Sequence, residues 1–266
     1  LLVVPGDVNS TLAGALTGVK MGIRVAHIEA GLRSFDRTMP EEINRIVTDS
    51  ISDILLTSCR DADENLLREG ISREKICFVG NVMIDSLCQI LPVAEKSDVI
   101  NRLGLKRREY FAVTLHRPSN VDDPAMLKRI MTMLGQVAES APVIFPAHPR
   151  TRAMLKKHGM ECPPGVALLE PMGYVEFLAL MAGSGSVITD SGGIQEETSF
   201  LGIPCLTLRP NTERPVTIRE GTNRLLDIAA DPVGVILGRY AARPAKIEGW
   251  DGHAAGRMVA ALKELI

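Results

Sequence analysis

The chain has 266 residues, of which 45% are hydrophobic, only 4% aromatic and 23% charged, with a formal net charge of −2. That balance is core-forming and lacks a disorder signature, and without a basic stripe it excludes the electrostatic footprint of a nucleic-acid binder. No apolar run reaches the roughly 18 residues of a membrane helix, and no charged-then-apolar leader is visible, so the cytoplasm is the expected location. Five cysteines, an odd number without paired spacing, argue for free thiols rather than a disulfide framework or a zinc site.

Short β-branched runs alternate with helical patterns along the chain. Strands are predicted over Leu1–Val4, Arg24–Ile28, Asp53–Thr57, Ile76–Val79, Tyr110–Thr114, Val143–Ala147, Val166–Leu169, Ser186–Thr189 and Pro204–Leu208. Helices are predicted between them, over Ser10–Lys20, Asp61–Glu69, Pro124–Ser140, Arg150–His158, Val175–Ala182 and Gly193–Leu201. This is βαβ rhythm, which implies parallel sheets with helices on both faces. A helix-like segment at 82–92 divides the chain into residues 1–87 and 88–266. The second part is long enough for a whole domain; the first, which opens inside an apparent strand, reads as the remnant of one.

Polar clusters sit just beyond the apolar runs, where open α/β sheets keep their ligands. Asp7 follows Leu1–Gly6, and Glu29 closes Ala26-His27-Ile28. The plain structural readings are a helix cap for Asp7 and a surface-loop acid for Glu29. Pro40-Glu41-Glu42-Ile43-Asn44-Arg45 starts a helix with proline and acids in its first turn, as capping and dipole rules favour. His116 and Arg117 follow the strand ending at Thr114, and His148 stands in the same relation to Val143–Ala147, where it equally suits a helix cap. His27 reads as structural, His158 and His253 as solvent-facing. Ser191-Gly192-Gly193 has the chemistry of a helix start, whose N–H groups and dipole attract phosphate oxygens. The pattern Gly-x-Gly-x-x-Gly is absent, which counts against a dinucleotide cofactor.

Six segments, in one order across nearly the whole chain, then carry a resemblance: Gly-Asp-Val-Asn-Ser-Thr at 6–11, His-Ile-Glu-Ala-Gly-Leu-Arg at 27–33, Pro-Glu-Glu-Ile-Asn-Arg at 40–45, Thr-Leu-His-Arg at 114–117, Asp-Ser-Gly-Gly-Ile-Gln-Glu-Glu at 190–197, and Thr-Glu-Arg-Pro at 212–215 with Gly221-Thr222-Asn223 beyond. The chain resembles the non-hydrolysing UDP-N-acetylglucosamine 2-epimerases. That resemblance implies an α/β protein of GT-B architecture, two Rossmann-like parallel-sheet domains facing a nucleotide-sugar cleft, the first incomplete here and the last helix returning to it. It implies interconversion of UDP-N-acetylglucosamine and UDP-N-acetylmannosamine by elimination of UDP and re-addition, without cofactor or metal. A homodimer and a place in cell-surface polysaccharide synthesis are implied with it.

Carried over residue by residue, the resemblance makes Asp7, Glu29 and Glu41 the active-site carboxylates, with Arg45 and His116 as companions. Ser191, Gly192 and Gly193 resemble the diphosphate cradle, Glu197 the ribose-hydroxyl acceptor, and Arg214 a ligand-side cation; His148 joins the substrate-binding set. Which carboxylate is acid and which is base stays open, as does the exact UDP-sugar. One departure is a Gly-Thr-Arg-Pro-Glu-like loop that family members carry near the start of the first domain and that nothing here supplies. A parallel sheet cut at that point leaves an exposed edge, so the isolated chain is expected to be unstable or inactive. A GT-B glycosyltransferase or a non-catalytic UDP-sugar-binding remnant are the alternatives, and the joint presence of Asp7, Glu29 and Glu41 favours the epimerase over the transferase.

Overall fold

Each apolar run pairs in parallel with its neighbours, because helical crossovers return the chain to the same end of the sheet. A computed structural model describes residues 1–228, 230–231 and 246–265. They fall into two units, Leu1–Cys88 with Thr212–Arg219 and Lys246–Ile266, and Gln89–Asn211 with Glu220–Ala245. Thr212–Arg219, which a two-part division of the sequence leaves in the second part, clusters with the first.

The first unit runs β1 (Leu2–Pro5), α1 (Asn9–Lys20), β2 (Val25–Ala30), α2 (Pro40–Ile51), β3 (Ile54–Thr57), α3 (Arg60–Arg68) and β4 (Ile76–Phe78) into α4 (Val82–Ala94). Its sheet has the order β1-β2-β3-β4, parallel throughout. Successive side chains of β3 point to opposite faces: Ile54 and Leu56 join Ala26 and Val79 in one core layer, Leu55 joins Ala30, Leu66 and Ile76 in another.

The second unit carries α5 (Val99–Arg102), β5 (Phe111–Thr114), α6 (Pro118–Val121), α7 (Pro124–Ala138), β6 (Val143–Pro146), α8 (Pro149–Lys157), β7 (Val166–Leu169), α9 (Tyr174–Gly183), β8 (Ser186–Thr189), α10 (Gly192–Leu201), β9 (Cys205–Thr207) and β10 (Asn223–Leu225). The strand order is β10-β9-β8-β5-β6-β7, again parallel. Every residue of β6, β8 and β9 is buried, as expected of a parallel sheet covered on both faces. The short helix α11 (Val216–Arg219) belongs to the first unit.

The last helix, α12 (Ala254–Leu265), is also part of the first unit and lays Met258, Ala261, Leu262 and Leu265 on the Ala26–Ile54–Leu56–Val79 layer. Asp85 accepts the Ala254 and Ala255 N–H groups at 3.0 and 2.7 Å, satisfying donors that a helix start leaves unpaired. Trp250 Nε1 donates to the Ser58 carbonyl at 2.9 Å, and Arg257 Nε to that of Val79 at 2.7 Å.

Gly31, one residue past β2, has φ +80°, and a Cβ there would lie 2.4 Å from the Ala62 carbonyl oxygen. Both the left-handed backbone and the contact demand glycine. Gly31→Ala is therefore expected to destabilise the protein by at least about 1 kcal/mol, read as a lower urea midpoint; an unchanged midpoint would show that α3 gives way freely.

Candidate active site

In the first unit two of the candidate acids, Asp7 and Glu29, lie at the carboxyl ends of two adjacent strands. Asp7 ends the turn after β1, and the Gly6 N–H donates to the Ile28 carbonyl at 3.1 Å, bringing that turn against the end of β2. Asp7 does not cap α1, whose N-cap is Val8 without a side-chain bond. Its Oδ2 instead accepts from Arg45 at 2.5 Å. Arg45 is held on its other side by Glu42, at 2.9 and 2.6 Å. Glu42 also accepts the Ser34 and Phe35 N–H groups at 3.0 and 2.8 Å. Burial works against its charge, but these hydrogen bonds and the Arg45 charge outweigh that and keep the carboxyl below its ordinary range.

Glu29 is not a surface-loop acid. It lies within β2 at φ +67°, where the register against β3 shifts between Ile28 and Ala30. A non-glycine residue in this region costs about 1–2 kcal/mol, and a bulge of this kind re-aims a side chain out of the strand's alternation. The side chain is largely buried, with Oε2 3.5 Å from Arg214, which also pairs with Glu213. Burial raises the Glu29 carboxyl above its ordinary value; Arg214 and His27 oppose the shift, Asp7 and Glu213 add to it. A carboxyl so placed is disposed to take up and release protons. Glu41 is half-buried in the first turn of α2, four residues ahead of Arg45 and hence on the same helix face.

In the second unit the strand sequence reverses direction between β5 and β8, the switch point where open α/β sheets receive ligands. His116 follows β5 and Ser191 follows β8. Between them Asp190, wholly buried, accepts the backbone N–H groups of His116 and Arg117, the Asn120 amide at 3.1 Å and His116 Nδ1 at 3.0 Å. This bond fixes the exposed imidazole at the mouth of the switch point. Ser191 is the N-cap of α10 without a side-chain cap, and a Cβ on Gly193 would meet open space. Glu197, one turn further in, is buried and accepts the Tyr174 hydroxyl at 2.7 Å; desolvation raises its carboxyl, and that bond partly offsets the rise. His148 caps α8, its Nδ1 accepting the Arg150 N–H at 3.2 Å, with its ring centroid 6.2 Å from that of His116.

For Asp190, burial disfavours the charge while His116, the Arg117 N–H and Asn120 favour it, with a net depression of its pKa. Its ionised form therefore stabilises the fold in full above the unfolded value of about 3.9, and the contribution fades as pH falls through the lower folded value. Acid unfolding of Asp190→Asn is expected to show a shallower pH dependence below about pH 4 than the wild type; superimposable curves would remove Asp190 from that role.

The candidate residues thus form two groups: Asp7, Glu29, Glu41, Arg45 and Arg214 in the first unit, and His116, His148, Ser191, Gly192, Gly193 and Glu197 in the second. Sequence reasoning left several of their partners unassigned: Glu42, Asp190 and Glu213 stood inside the quoted segments, and Tyr174 had no signal at all. Among the described residues no group of His, Cys, Asp and Glu is arranged to hold a metal ion, and no helix is long and apolar enough to cross a membrane.

The family model described as UDP-N-acetylglucosamine 2-epimerase matches residues 1–263. The chain belongs to this family. A UDP-N-acetylglucosamine 2-epimerase of Methanococcus maripaludis is 44% identical over 88% of the chain and 66% of its own length. A UDP-2,3-diacetamido-2,3-dideoxy-D-glucuronate 2-epimerase of Pseudomonas aeruginosa is 45% identical over 87% of the chain and 65% of its own length. The chain spans about two thirds of the length of these curated relatives. The crystal structure of the Methanocaldococcus jannaschii UDP-GlcNAc 2-epimerase with UDP-GlcNAc and UDP superposes with a TM-score of 0.86 at 41% identity, covering 97% of the chain and 75% of that structure. The α/β fold with two parallel-sheet units is that of the epimerase family, the GT-B class expected from the sequence.

Proposed function

We propose that this protein inverts C2 of a UDP-linked 2-acetamido sugar, interconverting UDP-N-acetylglucosamine and UDP-N-acetylmannosamine. The observation that carries the reading is Glu29, held in a strained bulge beside Asp7 with its carboxyl raised by burial. The C2 proton is weakly acidic, so a positioned base must take it while charge moves onto the departing group. In the first step a carboxylate removes that proton, the C1–O bond breaks, its electrons leave with UDP, and the C2–H electrons become the C1=C2 bond. In the second, a proton returns to C2 on the opposite face as UDP oxygen re-bonds to C1. Asp7, Glu29 and Glu41 divide this proton traffic, and Arg45 orients Asp7.

The second unit supplies what the leaving diphosphate needs. The α10 start offers N–H groups and a positive dipole end through Ser191, Gly192 and Gly193. His116, oriented by Asp190, assists departure, Glu197 accepts a ribose hydroxyl, and His148 lines the substrate side. Arg214 balances Glu29. The chemistry calls for no hydride carrier. Cytoplasmic location, a homodimer and a role in supplying cell-surface polysaccharide synthesis complete the proposal.

A second substrate reading has its own support, since the diacetamido-glucuronate relative is as similar to the chain as the N-acetylglucosamine one. The protein expressed from its complete reading frame is to be incubated in deuterated water with each UDP-sugar and followed by proton NMR. Deuterium at C2 in both epimers of one sugar is the expected result and names the substrate; UDP release without incorporation would overturn epimerisation.

A further inference from the structure

His27 is wholly buried in β2, two residues before Glu29. Its Nδ1 lies 2.6 Å from Asp49 Oδ1 and its Nε2 2.8 Å from the Gly6 carbonyl oxygen. Both partners are acceptors, whereas a neutral imidazole has one N–H and one lone pair. A lone pair facing either oxygen at these distances is repelled, so both contacts bond only if both nitrogens carry hydrogen. The proton is not on Asp49 instead, because its other oxygen takes the Gly31 N–H at 3.0 Å and the Arg33 guanidinium at 2.7 Å, contacts that favour an ionised carboxylate.

We propose that His27 stands in the folded protein as a buried imidazolium, a positioning residue that fixes the Gly6–Asp7 turn and sets a permanent positive charge behind Asp7 and Glu29. The charged groups around it are Asp49 of α2, Glu29 on its own strand and, through Asp49, Arg33. Burial opposes a charged ring, yet the Asp49 hydrogen bond and charge, the Gly6 carbonyl and Glu29 outweigh it and hold the imidazole above its ordinary value. The same Asp49 carboxylate anchors Gly31 and so pins the far side of the Glu29 bulge. One buried ion pair thereby sets both ends of the acidic pair: Asp7 through the Gly6 carbonyl, Glu29 through the strand and the field.

The functional meaning rests on reading Asp7 and Glu29 as the proton-transfer carboxylates, but the ring's charge is measurable without turnover. In uniformly ¹⁵N-labelled protein, the His27 ring, assigned by its loss in His27→Gln, is expected to show two protonated nitrogens at neutral pH. One bare nitrogen would overturn the charge assignment. In His27→Gln the Glu29 carboxyl is expected to titrate at higher pH by ¹³C NMR, and kcat for C2 exchange to fall about ten- to hundredfold with KM nearly unchanged. A Glu29 titration and kcat both equal to wild type would overturn the positioning role. If His27→Gln does not fold, the ring is assigned instead by substituting the other four histidines one at a time, and its wild-type spectrum decides the charge.

Discussion

Glu29→Gln is expected to slow deuterium incorporation at C2 of the UDP-sugar by about 10²- to 10⁴-fold, the span of a positioned acid–base group, with KM little altered. The amide has the carboxylate's shape, so the bulge is retained, and the left-handed backbone at φ +67° costs Gln as much as Glu. What disappears is the ability to accept a proton. Arg214 keeps Glu213 as a partner, so the loss is not one of an abandoned cation. Exchange within tenfold of wild type would remove Glu29 from the proton path and leave Asp7 or Glu41 as the base.

Asp49→Ala is expected to cost about 3–5 kcal/mol, the range for breaking a buried ion pair from one side. Asp49 is buried and is the shared acceptor for His27 Nδ1, the Gly31 N–H and Arg33. Alanine leaves a charged ring and a backbone donor without their acceptor, while Arg33 retains Glu69 at 2.7 Å. Against a total of about 5–15 kcal/mol for a domain, the first unit loses much of its margin. Chemical denaturation measures it directly. A loss below about 1 kcal/mol would mean that water enters and replaces the carboxylate.

Much of the fold was legible because its periodicities are strong. The runs at 53–57 and 186–189 are β-branched or leucine-rich and became fully buried strands, Ile54–Thr57 and Ser186–Thr189. Asn223–Leu225 was not foreseen: three residues with two polar side chains carry no strand pattern, and only pairing with Cys205–Thr207 makes them one. Val216–Arg219 was missed for the same reason of length.

The site was legible as residue types but not as geometry. The acids and their order could be read in the chain. A positive φ at a glutamate could not, since no local rule asks for it and the constraint comes from β3 and Gly31. The role of Asp190 likewise appears only when β5 and β8 become neighbours and bring 73–74 residues of separation down to hydrogen-bond distance. Asp49 reads as an ordinary helix acid until His27 is seen beneath it.

The bonds that fasten α12 reach across 169–192 residues of chain, from Asp85 to Ala254 and from Ser58 to Trp250. On the ribosome the apolar layer of Ala26, Ile54, Leu56 and Val79 therefore waits uncovered until α12 has been translated. The later-made unit, whose sheet core lies between residues 113 and 226, is complete before the earlier one can close. Folding order thus inverts the order of synthesis, and the interval is a period in which a chaperone has an exposed β-sheet face to hold.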